Sequence, residues 1–187
     1  MFPVDLGDLF HEEIEEDFVL AVLDMMLTRD DADWVVLTKR AKRMYSIIKH
    51  WLEFNELKRV PAHIWLMVTA ENQKRADERI PILLQIKAQV RGVSLEPMLE
   101  PIDLSGPWHV PGHNVHATTE YLQDMLHWVI VGAESGPERR LFEVSWAEDV
   151  YEQCKIAGVP FFFKQQSGLR PGTNPTLGGH EIKEFPR

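Results

Sequence analysis

Five short apolar runs recur along the chain, and each of them ends on polar or charged residues. The runs begin at Trp34, Ile64, Val90, Trp128 and Val159. An apolar run of this length, bounded by turn signals, is typical of a β-strand that is buried on both faces. Amphipathic helical patterns separate the runs, so the sequence predicts an α/β fold with a mostly parallel sheet of five to six strands.

The predicted elements divide the chain into a folded unit and a tail. Strands are predicted over residues 34–38, 63–69, 91–95, 127–132 and 160–164, and a short strand within 2–10. Helices are predicted over 41–58, 73–87, 118–126 and 146–157, and around Phe18, Val22, Met25 and Met26. We expect one domain over residues 1–166 with an irregular loop at about 98–117, followed by a loop-rich tail over 167–187.

The polar ends of the five runs are candidate ligand-binding residues, because parallel α/β folds place their ligand sites at the carboxyl ends of the strands. These residues are Lys39, Arg40, Glu71, Asn72, Glu96, Glu134, Ser135, Lys164 and Gln165. Neighbouring strands lie about 5 Å apart, so the three glutamates could converge on one ligand. Converging carboxylates act as acid and base, hold a hard metal, or accept hydrogen bonds from a ribose or an amine. Each glutamate could equally cap a helix or pair with a nearby cation.

The other polar residues of the run ends support a binding site of undetermined chemistry. Lys39, Arg40 and Lys164 could hold a carboxylate or a phosphate, or form structural ion pairs. Ser135 belongs to a small-residue turn that lets backbone N–H groups approach a ligand. The turn lacks the spacing of a dinucleotide fingerprint or of a P-loop.

Composition narrows the class of partner and the location. The net charge of −9 argues against non-specific binding to a nucleic-acid backbone, although a local basic groove remains compatible with it. No apolar stretch approaches the roughly 20 residues of a membrane span, and no signal peptide is visible, so we expect a cytoplasmic protein.

Metal and cysteine chemistry have few candidates. His109, His113 and His116 lie at spacings that could bind zinc on a helix, but Pro111 and Gly112 argue against a regular helix there. The single cysteine, Cys154, lies within a predicted helix and reads as a small buried residue.

A set of motifs in one fixed order resembles a known family. The set includes Asp8-Leu-Phe-His11, Leu37-Thr-Lys-Arg40, Val68-Thr-Ala-Glu-Asn72, Val93-Ser-Leu-Glu-Pro97, Trp128-Val-Ile-Val-Gly-Ala-Glu-Ser-Gly136 and Gly158-Val-Pro-Phe-Phe-Phe-Lys-Gln165. Together these motifs resemble phage and prophage proteins labelled as radical-SAM-like three-cysteine-motif proteins. The resemblance implies a partial (β/α) barrel of radical-SAM type that lacks its first unit, with S-adenosylmethionine across the strand ends.

The resemblance also implies clustered cysteines near the N-terminus that hold an iron–sulfur cluster. One cysteine cannot supply three thiolates, so we expect this chain to hold no such cluster of its own. The leading hypothesis is therefore a phage-type, radical-SAM-like protein that binds a small polar ligand or a partner at the strand ends. It would act in the cytoplasm of a bacterial host.

Two other classes of function stay open. The chain could be a metal-assisted hydrolase, or a radical enzyme that a cysteine-bearing partner completes. It could instead be a protein-interaction module that acts on a host component. A missing first unit would leave a free sheet edge, and a partner chain, a second copy of this chain or the loop-rich tail could cover that edge.

Overall fold

The protein is described here from a computed structural model, which covers residues 7–105, 108 and 122–186. Its elements are α1 (Glu16–Thr28), β1 (Trp34–Thr38), α2 (Ala41–Phe54), β2 (Ile64–Thr69), α3 (Gln73–Leu83), β3 (Arg91–Leu95), α4 (Leu122–Met125), β4 (Trp128–Gly132), α5 (Val144–Ala157), β5 (Phe161–Gln165), β6 (Thr176–Leu177) and β7 (His180–Glu181).

The first five strands form one parallel sheet in the order β1-β2-β3-β4-β5, so each strand pairs with its neighbour in the sequence. This confirms the prediction of an α/β fold with a mostly parallel five-stranded sheet. Each strand lies within one residue of its predicted range. The apolar runs locate the strands well because strands covered on both faces must be apolar at nearly every position.

Helices pack on one face of the sheet. Val36, Leu66, Val93 and Val129 face this side and share a core with Leu23 of α1, Ile48 of α2, Ile80 of α3 and Val150 of α5. The alternate strand residues form a separate buried cluster on the other face: Val35, Trp65, Met67, Trp128 and Ile130, together with Val90. No helix residue belongs to that second cluster among the described residues. The second face of the sheet is therefore apolar without being covered by the described helices.

The helix predictions differ from the structure mainly in their ends and in one buried stripe. The helix predicted over 41–58 ends at Phe54, and the left-handed backbone of Glu56 (φ 53°) follows it. In α1 the buried residues are Val19, Leu23 and Met26, whereas Phe18 is 57% exposed. Apolar residues lie on both sides of α1, so spacing alone does not decide which stripe faces the sheet.

Two further predictions differ or fall partly outside the structure. The short strand predicted at the beginning of residues 2–10 falls mainly on residues 1–6, which lie outside the described residues, and residues 7–10 form a bend and a turn. The predicted helix over 118–126 is described only from Leu122, where it is the short helix α4. No helix in the described part of the chain is long and apolar enough to cross a membrane.

The tail folds back onto the last strand of the sheet. The N–H of Phe163 donates to the carbonyl of Ile182 (2.8 Å), and the N–H of Glu184 donates to the carbonyl of Phe161 (3.0 Å). These bonds satisfy backbone groups on the outer edge of β5, which would otherwise be free to pair with another chain. The strands β6 and β7 form a small antiparallel hairpin before this segment.

Candidate functional site

A cavity of about 870 Å³ lies on the face of the sheet that the described helices leave uncovered. We call it the central cavity. Its floor is formed by apolar side chains, which are Leu37, Met67, Trp128, Ile130, Phe162 and Phe185. Its mouth is formed by polar residues, which are Asp8, His11, Thr38, Lys39, Arg40, Thr69, Ser94, Glu96 and Lys164. The cavity therefore joins an apolar interior to a polar rim.

The change from apolar to polar follows the direction of the strands. At the end of β3 the cavity is lined by Ser94 and then by Glu96, and along β5 it is lined by Phe162 and then by Lys164. Because the strands are parallel, their polar ends meet at the same edge of the sheet. This is the edge at which the sequence predicts the ligand site.

A glycine makes room for the carboxylate at the centre of this edge. A Cβ atom placed on Gly132 would lie 2.6 Å from Oε1 of Glu96. The absence of a side chain at the end of β4 thus lets the Glu96 side chain lie across the neighbouring strand. Real Cβ atoms do not approach other atoms so closely, so any larger residue at position 132 would displace this carboxylate.

Glu96 is held loosely on its outer side. Its Oε1 lies 3.2 Å from the ammonium of Lys164, and the hydroxyl of Ser94 donates to its Oε2 (3.3 Å). The Glu96 side chain is 18% exposed, whereas the Lys164 side chain is 56% exposed. A flexible, hydrated lysine is a partner that a ligand amine or hydroxyl can replace, because an exposed ion pair has little net strength.

Asp8 organises the opposite side of the mouth. Its carboxylate accepts hydrogen bonds from the Thr38 hydroxyl (2.6 Å), the Lys39 N–H (3.0 Å) and the Arg40 guanidinium (3.0 Å). Burial acts to raise the pKa of Asp8, but these bonds and one from the Phe10 N–H outweigh it and lower the pKa. The ionised carboxylate therefore fastens the segment before α1 to the end of β1.

Two of the three predicted glutamates are engaged by arginines outside the cavity lining. Glu71 accepts from the Arg79 guanidinium at 2.8 Å. Glu134 accepts two bonds from the Arg140 guanidinium, at 2.9 and 3.0 Å, and one from the Arg140 N–H. The hydrogen bonds from Arg140 lower the pKa of Glu134 to about 2. Of the three carboxylates, only Glu96 lines the central cavity.

Three other predicted residues have structural contacts at the same edge. The side chain of Asn72 caps α3 by accepting from the Arg75 N–H (2.9 Å). Gln165 is buried and donates to the carbonyl of Ala133 (2.8 Å). Ser135 forms an isolated parallel bridge with Gly168. The structure thus brings Lys39, Arg40, Glu96 and Lys164 to the cavity and places Glu71, Asn72, Glu134, Ser135 and Gln165 beside it.

The metal and thiol candidates do not add to the described site. His109, His113 and His116 lie outside the described residues. Within the described ranges, no three histidine, cysteine, aspartate or glutamate side chains are grouped so as to hold a metal ion. Cys154 is buried in the core between α5 and the sheet, and burial raises the pKa of its thiol. It lies on the helix-covered face, opposite to the central cavity.

Sequence reasoning missed several polar residues of the mouth. Thr69 and Ser94 are buried polar residues, 5% and 1% exposed, and both face the cavity. In the sequence, each of them is a polar residue inside an apolar run and lies two positions before a strand-end glutamate. Side chains two residues apart in a strand share a face, which favours a common face for Ser94 and Glu96. The same spacing relates Thr69 to Glu71, but Glu71 lies beyond the end of β2 and pairs with Arg79 instead. Asp8 had no comparable local signal.

Aromatic contacts hold the floor of the cavity against the tail. The ring of Trp128 lies 5.7 Å from that of Trp65 and 5.4 Å from that of Phe185, measured between centroids. The indole N–H of Trp128 donates to the carbonyl of Glu184 (2.8 Å). The tail therefore contributes directly to the wall of the cavity through Phe185.

Comparison with known proteins gives one match. A family model described as "Protein of unknown function (DUF5131)" matches residues 1–182. No match was found among curated proteins or among solved structures. The matched range contains all five strands of the parallel sheet and every residue of the cavity mouth.

Proposed function

The chain belongs to the family described as "Protein of unknown function (DUF5131)", and we propose that it binds a small polar-headed ligand in the central cavity. S-adenosylmethionine or a related nucleoside is the leading candidate. The observation that carries this proposal is the cavity itself, with Glu96 at a polar mouth above an apolar floor. Small-molecule sites commonly enclose about 300–1,000 Å³ and combine apolar walls with a few placed polar groups.

The chemistry of the mouth suits a nucleoside. A carboxylate accepts hydrogen bonds from the two ribose hydroxyls or from an amino group. Glu96 supplies such a carboxylate, and Ser94 and Thr69 supply hydroxyls beneath it. The floor around Met67, Trp128 and Ile130 offers an apolar surface for a flat base. The resemblance to radical-SAM-like proteins, which place S-adenosylmethionine across their strand ends, supports the same assignment.

As part of this proposal, we also assign the fold to the radical-SAM-like class. The consecutive order of five parallel strands and the helices on one face support a partial (β/α) barrel of radical-SAM type. The motifs of the sequence also support a phage or prophage origin. In this reading the central cavity is the interior of the partial barrel.

Ligand binding is proposed without a cluster held by this chain. Its one cysteine is buried in the core, so residues 1–187 do not supply the three thiolates that such an iron–sulfur cluster needs. The strand β1 pairs only with β2 among the described residues, and its other edge suits a partner chain or a second copy. Metal-assisted hydrolysis has weaker support, because Glu71 and Glu134 are each engaged by an arginine.

The test is calorimetric titration with S-adenosylmethionine, S-adenosylhomocysteine and adenosine. We expect at least one of them to bind, and Glu96→Gln to weaken that binding about tenfold, or about 1.4 kcal/mol. The amide keeps the shape but loses the negative charge and half of the acceptor capacity. The free energy of unfolding should change by less than about 1 kcal/mol, because the lysine of the lost pair is solvent-exposed and the amide of Gln can still accept a hydrogen bond from Ser94.

A matched control is Glu53→Gln, which removes an exposed carboxylate from α2 far from the cavity lining. It should leave ligand affinity unchanged. The proposal fails if none of the three compounds binds, or if Glu96→Gln and Glu53→Gln bind the ligand as tightly as the unaltered protein.

A further inference from the structure

A second cavity, of about 810 Å³, lies between the first turn of α2 and one face of α3. We call it the basic groove. It is lined by six cationic residues, which are Lys39, Arg40, Lys42, Arg43, Arg75 and Arg79. Among the residues that the structure describes, only Glu12 and Glu78 bring negative charge to the lining. This concentration of positive charge stands out in a chain whose net charge is −9.

Several of these positive charges lack a carboxylate partner. Lys39 and Lys42 make no side-chain ion pair within the described part of the chain. The guanidinium of Arg43 donates to the backbone carbonyls of His11 and Ile14, which orient it without neutralising it. The other three cations, Arg40, Arg75 and Arg79, are each paired with a carboxylate. The three cations without a carboxylate partner repel one another, and a bound anion would relieve that repulsion.

The placement on α2 increases the positive potential. The first turn of α2 contains Lys42 and Arg43 and no acidic residue. The start of a helix carries a partial positive charge and normally favours acidic side chains, so cations at this position cost stability. Such a departure from local rules is expected where a site has a function. The backbone N–H groups of this turn add donors for an anion.

The basic groove adjoins the central cavity, since Lys39 and Arg40 line both. We propose that the groove binds the phosphate groups of a ligand whose other end lies in the central cavity. Arginine forks and lysine ammonium groups together match the several oxygens of a phosphate chain better than they match one carboxylate. This inference rests on the proposed function, and it favours a phosphorylated nucleoside over S-adenosylmethionine as the occupant.

The experiment compares adenosine, adenosine diphosphate, pyrophosphate and a short single-stranded oligonucleotide by calorimetric titration. We expect the diphosphate to bind at least about tenfold more tightly than adenosine at low salt, with the difference shrinking as salt is added. Lys42→Gln should remove most of that gain and leave adenosine affinity unchanged, because Lys42 lines only the groove. Pyrophosphate should compete with the diphosphate.

Lys49→Gln is the matched control, since it removes an exposed lysine from the same helix outside the groove. It should leave every affinity unchanged. The oligonucleotide shows which kind of molecule supplies the phosphate groups. If it binds more tightly than the diphosphate, the groove is assigned to a nucleic-acid strand. If the diphosphate binds more tightly, the groove is assigned to a free nucleotide.

Two results would overturn the inference. One is equal affinity for adenosine and its diphosphate, with no effect of Lys42→Gln; adenosine binding that still depends on Glu96 would then leave the proposed function standing. The other is tighter binding of an oligoglutamate peptide than of any phosphate compound, which would assign the groove to an acidic protein segment. Lys42-dependent binding of pyrophosphate without any nucleoside binding would support the phosphate site and refute the nucleoside function.

Discussion

Each strand-end glutamate has its own cationic partner, but the partners lie at different distances along the sequence. The pairs are Glu71 with Arg79, Glu96 with Lys164, and Glu134 with Arg140. Two of these pairs join residues 8 and 6 positions apart, so they hold local segments together. The pair at Glu96 joins residues 68 positions apart on different strands. It is also the one at the cavity, where a ligand can compete with the lysine.

The pair of Glu134 and Arg140 can be tested directly for its effect on the Glu134 carboxylate. Arg140→Gln should raise the pKa of Glu134 from about 2 toward its usual value of 4.5, because the charged hydrogen bonds are lost. Carbon-detected NMR titration of the carboxyl would measure this change. The pKa of Glu134 is lower in the folded state than in the unfolded chain. The ionised Glu134 therefore stabilises the folded state above about pH 4.5, and this contribution is lost as the pH falls through about 2.

The neighbouring residue supplies the control for this titration. Arg139 donates to the carbonyl of Gly136 and makes no hydrogen bond to Glu134. Arg139→Gln should therefore leave the Glu134 pKa near 2. A Glu134 carboxyl that still titrates near 2 in Arg140→Gln would show that another group depresses its pKa.

Among the elements, the junction of β4, β5 and the tail depends on one buried side chain. Gln165 donates to the carbonyl of Ala133 (2.8 Å) and accepts from the N–H of Gly172 (2.6 Å). Gln165 is 6% exposed and Ala133 is buried, so water cannot readily replace the bond between them, whereas Gly172 is exposed. The end of β5 is thereby joined to β4 and to the tail that supplies Phe185 to the cavity wall.

Gln165→Met keeps the length of the side chain and removes both hydrogen bonds. We expect it to lower the free energy of unfolding by about 1–3 kcal/mol, because the carbonyl of the buried Ala133 loses its partner and the contact with the exposed Gly172 is broken. Urea denaturation followed by far-UV circular dichroism would measure the change. The control Gln85→Met alters an exposed side chain and should change stability by less than about 0.5 kcal/mol. Equal losses in the two variants would contradict the role assigned to Gln165.

For the molecule as a whole, the half-buried His127 links stability to pH. Burial lowers the pKa of His127, and the charge of Arg91 lowers it further. The neutral ring accepts from the Arg91 N–H (3.2 Å), next to the start of β3. The Arg91 guanidinium in turn donates to the carbonyls of Leu84 and Asp124. Arg91 thus connects the start of β3 to the segments that contain Leu84 and Asp124.

We therefore expect stability to fall on mild acidification. The folded-state pKa of His127 lies below its unfolded value of 6.5, so the unfolded chain binds the proton more readily below that pH. The free energy of unfolding should be lower at about pH 5 than at about pH 8. His127→Asn, whose side-chain oxygen can still accept from Arg91, should flatten this dependence. A variant with the same slope as the unaltered protein would show that other groups cause the effect.

The sequence by itself determined where the strands lie and at which edge the polar residues collect. A strand that is covered on both faces is apolar at nearly every position, so short apolar runs mark such strands. Parallel strands in one sheet bring their carboxyl ends to the same edge. Lys39, Arg40, Glu96 and Lys164 were found in this way. The even spacing of Ser94 and Glu96 was also available from the sequence, since alternate residues share a face.

Only the tertiary structure decided which polar residues face the cavity. The sequence does not show that the described helices all pack on one face of the sheet, and that packing leaves the other face as the cavity floor. Asp8 contacts Thr38, which lies 30 positions further along the chain, and such a contact depends on how the segments fold together rather than on local spacing. The same holds for the arginines that engage Glu71 and Glu134, because a charged side chain pairs with whichever partner the fold brings within reach.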